Sequence, residues 1–117
     1  NPDVCNVGGI LELKEIAAMA EPNYVAMSPH NYNSTVLGLA ATVQASATMP
    51  NFLITEYFVP YEDLGMKVSK PLIQSGGYIQ LPEAPGLGVE IDEAAFEQFA
   101  YKRFPTRQLR TWRDEGP

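Results

Sequence analysis

The strongest constraint on the fold of this chain is an alternation of helical and extended segments over residues 1–60. Apolar residues recur at helical spacing from Ile10 to Ala20, with charged residues on the opposite face. The apolar run at 24–27 has the length and composition of a strand buried in a parallel sheet. A second helical segment at 35–47, rich in small residues, precedes another apolar run at 52–59. This rhythm predicts an α/β fold with parallel strands and right-handed crossovers.

The second half of the chain lacks this rhythm. Residues 61–92 are rich in Gly and Pro, and they predict irregular chain with short strands near 70–73 and 78–81. Apolar residues on one face predict a helix from Glu93 to Phe104, and a polar tail carrying Trp112 follows. We therefore divide the chain into βα units at 1–60 and a C-terminal segment at 61–117.

Composition limits the class of protein. With 117 residues, 45% hydrophobic and 19% charged, the chain has the size and balance of one globular domain. Its net charge of −6 argues against nucleic acid or an anionic membrane as a partner. The single cysteine, Cys5, cannot form an internal disulfide, so we expect a reducing, cytoplasmic setting. The polar opening without an initiator methionine suggests a piece of a larger protein.

Three polar residues fall at the ends of the predicted strands, namely Asp3, His30 and Glu56. Active sites of α/β barrels lie at the carboxyl ends of the strands, so neighbouring strands would bring these side chains to one cavity. A carboxylate beside an imidazole orients the ring and raises its basicity, which suits general acid/base catalysis. The alternatives are a turn cap for Asp3, a loop residue for His30 and a solvated strand end for Glu56.

Other candidates carry less chemistry. Cys5 has no second histidine to activate it, and we interpret it as a small buried hydrophobic residue. The sequence Gly86-Leu87-Gly88 lacks the dinucleotide-binding pattern and predicts a turn. No Cys/His cluster or complete carboxylate set for a metal is present in the sequence. Four arginines near the C-terminus could bind an anion, although a solvated tail is the simpler interpretation: Arg103, Arg107, Arg110 and Arg113.

Several stretches together resemble a known family. They are PDVCNVGGILELKEIAAMAE, VAMSPHN, PNFLITE, GGYIQLPEAPGLGVEIDEA and TWRDEG, in family order. The chain resembles the C-terminal part of the mandelate racemase/muconate lactonizing enzyme subgroup of the enolase superfamily, above all its D-galactonate dehydratase-like sugar-acid dehydratases. The resemblance implies the C-terminal portion of a (β/α)8 barrel, with strands six to eight in residues 1–60.

The resemblance also implies roles for the three polar residues. Asp3 would end the sixth strand and orient the histidine, and His30 would end the seventh strand as the general acid/base. Glu56 would end the eighth strand and hydrogen-bond the substrate carboxylate as it becomes an enediolate. Such a dianionic intermediate needs a metal ion and strong hydrogen-bond donors. In the dehydratases, the histidine assists departure of the β-hydroxyl group.

Further expectations concern the rest of the enzyme. The resemblance implies Mg²⁺ whose ligands, like the opposing base and an N-terminal capping domain, lie outside this chain. The residues after the histidine depart from the Pro- and Gly-containing family pattern, so Asn31, Tyr32 and Asn33 would stand near the substrate. Three βα units cannot close a barrel, so we expect the chain alone to be inactive and the enzyme to be a homo-oligomer. A racemase, epimerase or cycloisomerase is the alternative, and a non-catalytic α/β binding module the least favoured one.

Overall fold

The computed structural model describes residues 1–32, 34–70, 72 and 74–103, with Tyr61 described through its backbone alone. Its regular elements are the helices α1 Val4–Val7, α2 Ile10–Ala20, α3 Val36–Ser46, α4 Glu62–Val68 and α5 Glu93–Glu97, and the strands β1 Gln74–Ser75 and β2 Tyr78–Ile79. One-turn 3₁₀ helices follow α2 at Glu21–Asn23 and precede α4 at Val59–Tyr61.

Three extended segments lie side by side and in parallel. The first segment, at residues 2–3, pairs with the middle segment, 25–31. The His30 N–H donates a hydrogen bond to the Pro2 carbonyl at 3.0 Å. On its other side, the Met27 N–H donates to the Asn51 carbonyl at 2.8 Å, and the Leu53 N–H donates to the Met27 carbonyl at 2.9 Å. The pairs Asp3–His30 and Met27–Phe52 are both parallel, as the sequence predicts.

Helix α1 is a single turn that directly follows Asp3. The Asp3 side chain caps it, since its Oδ1 accepts the Cys5 N–H at 2.8 Å. Gly8 ends the helix in the left-handed conformation with φ of 116°, which glycine adopts without a side-chain clash. Cys5, in this turn, is exposed, so its interpretation as a buried residue is wrong.

Helix α3 links the two parts of the core. One cluster joins it to α1, α2 and the middle extended segment through Val4, Leu13, Ala17, Met27, Ala45 and Met49. A second cluster lies on its other side and contains Val36, Leu39, Ala40, Val43 and Leu72. The small residues of α3 allow close approach on most of its faces, which is the packing that its composition predicts.

The C-terminal half is more regular than its composition suggests. Helix α4 occupies part of the segment that was predicted to be irregular, and β1 pairs with β2 in an antiparallel hairpin. Positive φ angles at Gly86 and Gly88 confirm the predicted turn there. Helix α5 ends at Glu97, well before Phe104, so the predicted length is wrong. Phe99 is 46% exposed, so little burial supports a longer helix.

Some sequence expectations lie outside the described residues. They concern Asn33, Phe104, Trp112 and the arginines at 107, 110 and 113. Within the described part of the chain, no helix combines the length and the hydropathy that a membrane crossing requires.

Candidate active site

His30 and Asp3 form a close pair across the parallel pairing of their backbones. The distance between His30 Nδ1 and Asp3 Oδ2 is 2.7 Å. Because a carboxylate accepts hydrogen bonds and does not donate them, Nδ1 carries the proton of this bond. The second ring nitrogen, Nε2, is thereby left to take up or release a proton, which is the arrangement of an oriented general acid/base.

The Asp3 carboxylate performs two functions with its two oxygens. Oδ1 accepts the Cys5 N–H at the start of α1, and Oδ2 accepts from His30. Asp3 is 6% exposed, so its carboxylate is largely shielded from water. The turn cap considered as an alternative for Asp3 is therefore present together with the histidine contact. The cap fixes the carboxylate and reduces its freedom to turn away from the ring.

Glu56 faces the other nitrogen of the same ring. Its Oε2 lies 3.6 Å from His30 Nε2, beyond ordinary hydrogen-bond length. The Asn31 N–H donates to that same oxygen at 3.0 Å and holds the carboxylate beside the ring. The Glu56 N–H in turn donates to the Pro29 carbonyl at 3.2 Å, which fixes the backbone of Glu56 next to the middle segment. The structure thus brings Asp3, His30 and Glu56 together.

The residues after His30 differ in their surroundings. Asn31 is 3% exposed, and its side-chain Oδ1 has no hydrogen-bond partner among the described residues. Tyr32 is 49% exposed, with its ring centroid 6.3 Å from that of His30. Tyr32 is therefore accessible to a solute beside the histidine, whereas the Asn31 side chain points into the protein interior. Asn33, the third predicted substrate-binding residue, lies outside the described part of the chain.

Two aromatic residues after Glu56 were not predicted to belong to the site. The ring of Phe58 lies 4.4 Å from that of Tyr32, centroid to centroid. Burial raises the pKa of the Tyr57 hydroxyl, with smaller contributions from the charge of Glu62 and a hydrogen bond to it. Tyr57 and Glu62 line a cavity of about 40 Å³ together with Asn31. The only signal in the sequence is that both aromatics directly follow Glu56.

The described residues do not fit a magnesium site of their own. No group of three His, Cys, Asp or Glu side chains with the spacing of metal ligands occurs among them. Asp3 is occupied by the histidine ring and a backbone N–H, and Glu56 stands on the opposite side of that ring. Mg²⁺ favours an octahedral set of oxygen ligands, and an imidazole between two carboxylates does not supply one.

The family model described as enolase C-terminal domain-like matches residues 1–95. An enolase from Agrobacterium radiobacter, solved with bound Na and L-malate, superimposes with a TM-score of 0.78 at 36% identity and covers 94% of this chain and 31% of its own. These matches define the class of protein: the chain is an α/β domain of the enolase superfamily, and it belongs to the enolase C-terminal domain-like family.

Relatives with named activities include several sugar-acid dehydratases and a D-galactarolactone cycloisomerase of Agrobacterium fabrum, which is 32% identical over 84% of this chain. D-xylonate dehydratase of Haloferax volcanii is 36% identical over 82% of this chain. A D-galactonate dehydratase family member of Streptomyces bingchenggensis is 37% identical over 85% of this chain. The chain spans only 23% and 24% of the length of these two relatives. The resemblance to sugar-acid dehydratases of this superfamily is confirmed, and the chain corresponds to the C-terminal part of their fold.

Proposed function

We propose that this chain is the C-terminal part of a sugar-acid dehydratase, a hydro-lyase that removes water from an aldonic acid. The observation that carries the proposal is the placement of the His30 ring between two carboxylates, at 2.7 Å from Asp3 and 3.6 Å from Glu56. The named dehydratases among its relatives support the same reaction class.

The proposed reaction breaks two bonds and forms one double bond. A base outside these residues removes the proton on the carbon next to the carboxylate, giving an enediolate. The hydroxyl group on the following carbon then leaves as water, once it has received a proton. The resulting enol rearranges to a 2-oxo-3-deoxy acid. The net reaction needs no oxidant or reductant.

His30 supplies the proton to the leaving hydroxyl group from Nε2. In its protonated form the ring donates from both nitrogens, and the Asp3 carboxylate stabilises the positive charge through Nδ1. Because Asp3 is buried and its carboxylate also caps α1, the His30 ring is held in one orientation before the substrate arrives. After proton transfer, the neutral ring keeps the same hydrogen bond to Asp3.

Glu56 is positioned to stabilise the enediolate. When it carries a proton, its carboxyl group donates a hydrogen bond to the substrate carboxylate as negative charge develops there. The Asn31 N–H keeps Oε2 in place during this change. A hydrogen-bond donor aimed at charge that develops in the transition state accelerates the reaction rather than merely tightening substrate binding.

The remaining parts of the proposal belong to the complete enzyme. We place its Mg²⁺ ligands, the opposing base and a capping domain outside these residues, since the described carboxylates do not form a magnesium site. A magnesium ion would neutralise charge on the bound carboxylate. The 117-residue chain alone is then inactive, and the complete enzyme is a cytoplasmic homo-oligomer.

The test uses the complete enzyme that carries these residues. Wild type is assayed with Mg²⁺ on a panel of four- to six-carbon aldonic acids, with detection of the 2-oxo product and of any epimer. His30→Asn should lower kcat by roughly 10²- to 10⁴-fold, the usual contribution of a general acid/base. Tyr101→Phe, a change at a residue 89% exposed, serves as the control. Full activity of His30→Asn, or an epimer as the only product, would contradict the proposal.

A further inference from the structure

Tyr32 and Phe58 form a contact that crosses the candidate site. Their ring centroids lie 4.4 Å apart with the ring planes tilted by 53°. This distance and tilt fall within the range of favourable aromatic pairs. Tyr32 comes two residues after His30, and Phe58 comes two residues after Glu56. The pair therefore joins the two loops that leave the proposed catalytic residues.

The ring contact is the second connection between these loops. The first is the hydrogen bond from the Asn31 N–H to the Glu56 carboxylate at 3.0 Å. On the histidine side the two connections use the adjacent residues Asn31 and Tyr32. On the other side they use Glu56 and Phe58, which are two residues apart. The hydrogen bond sets the position of the carboxylate, whereas the ring contact sets the position of Tyr32 beside His30.

Tyr32 remains available to a ligand while Phe58 holds it. Its ring lies 6.3 Å from the His30 ring with a tilt of 49°, and half of the residue is exposed. Phe58 itself is half-buried. A substrate whose reacting carbons lie at His30 must extend its remaining carbons past a neighbouring surface, and the Tyr32 ring is one such surface.

We infer, on the basis of the proposed function, that Tyr32 contacts the distal carbons of the sugar acid and that Phe58 is the positioning residue for Tyr32. The face of an aromatic ring packs against the C–H groups of a polyol chain, and the phenol hydroxyl exchanges hydrogen bonds with its hydroxyl groups. These contacts begin beyond the carbons where bonds break. The pair therefore selects for chain length and leaves the chemical step unaffected.

The experiment compares acids of different length on the complete enzyme. On this inference D-glycerate, whose three carbons all lie at the reacting centre, makes no contact with Tyr32, whereas five- and six-carbon aldonic acids do. For Phe58→Ala we expect KM to rise roughly 3- to 10-fold for the longer acids, with kcat nearly unchanged, and no change in kcat/KM for glycerate. Phe58→Tyr keeps the ring and should restore the wild-type profile. Tyr32→Ala should reproduce the Phe58→Ala profile.

Other outcomes overturn the inference. Equal losses for short and long acids would show that Phe58 supports only the fold, which thermal unfolding of the variant would register as well. An unchanged length profile in Phe58→Ala would show that the ring contact does not position a specificity residue. If wild type dehydrates none of the acids, the proposed function itself fails. Assaying wild type before the variants therefore distinguishes a failure of the proposed function from a failure of the inference about Tyr32 and Phe58.

Discussion

Asp3 and His30 are 27 residues apart in the chain, yet Asp3 Oδ2 lies 2.7 Å from His30 Nδ1. Their backbones pair in parallel, so the extended segments bring the two side chains to the same end of the pair. The same carboxylate caps α1 through its other oxygen. The geometry of the dyad is therefore coupled to the start of the first helix, and a substitution at Asp3 affects both.

Substitutions at Asp3 should separate catalysis from stability. Asn at this position still caps the helix, because its side-chain oxygen accepts the Cys5 N–H. Its amide then presents N–H groups to His30 and favours the wrong tautomer of the ring, so we expect kcat to fall roughly 10²- to 10⁴-fold. Ala should cause a similar loss and, in addition, lower the free energy of unfolding by about 0.5–2 kcal/mol. Steady-state kinetics and chemical denaturation measure the two effects.

Equal stability loss in both Asp3 variants would argue against the cap as a separate contribution. Activity close to wild type in Asp3→Asn would argue against the orienting role. Ser28, whose carbonyl accepts a hydrogen bond from Asn1 near the same pairing, offers a control site, since Ser28→Ala keeps that carbonyl.

Glu56→Gln should lower activity without harming the fold. The glutamine side-chain oxygen still accepts the Asn31 N–H, so the position of the group is retained. Its amide is a weaker donor to a developing enediolate than a carboxyl group, and removal of one such donor costs about 10²- to 10³-fold in kcat. Glu56 is exposed, so the midpoint of thermal unfolding should stay close to wild type. A kcat within a factor of two of wild type would contradict the role assigned to Glu56.

Ionisation of Tyr57 should destabilise the protein at alkaline pH. Burial, and then Glu62, raise the pKa of Tyr57 above its ordinary value of 10.0. The folded state therefore favours the neutral phenol. Its contribution to stability is fully present below the ordinary pKa and is lost as the pH rises through the higher pKa of the folded state. Glu62→Gln should lower the pKa part of the way, since burial remains.

The measurement is the ultraviolet absorbance of tyrosinate as a function of pH. The protein has six tyrosines, so the titration of Tyr57 is the difference between wild type and Tyr57→Phe. A difference curve centred at the ordinary tyrosine pKa, or an identical curve in Glu62→Gln, would contradict the assignment of the cause.

Two helical glycines should respond to alanine in opposite directions. A Cβ atom at Gly38 would lie 2.8 Å from the Cys5 sulfur and 2.8 Å from the Ser34 Cβ, so α3 or these neighbours would have to shift. We expect Gly38→Ala to lower the free energy of unfolding by roughly 1–3 kcal/mol. Apart from its own helix backbone, a Cβ at Gly65 in α4 meets no atom of the described residues within 4 Å, and Gly65→Ala should add about 0.4–1 kcal/mol. Denaturant unfolding of the complete protein measures both changes in the free energy of unfolding. A Gly38→Ala variant as stable as wild type would contradict the expected clash with Cys5 and Ser34.

Much of the candidate site follows from local sequence. Asp3, His30 and Glu56 each stand at the end of a segment whose composition predicts an extended chain, and parallel neighbours bring such ends together. The prediction did not reach Tyr57 or Phe58, because their roles depend on which loops face each other. It was wrong for Cys5, which is exposed in the single turn of α1. The predicted length of α5 was wrong because helical spacing does not reveal whether a surface exists to bury Phe99.

The sequence by itself determined the α/β rhythm, the helices from Ile10 and Val36, and the residue types of the proposed dyad. Periodicity and turn residues act over a few neighbours, and those features need no knowledge of distant contacts. Only the tertiary structure decided that one carboxylate serves both α1 and His30, that the Asn31 backbone holds Glu56, and that Phe58 meets Tyr32. Those relationships join residues about 25 positions apart, and only the packing of the extended segments sets their distances.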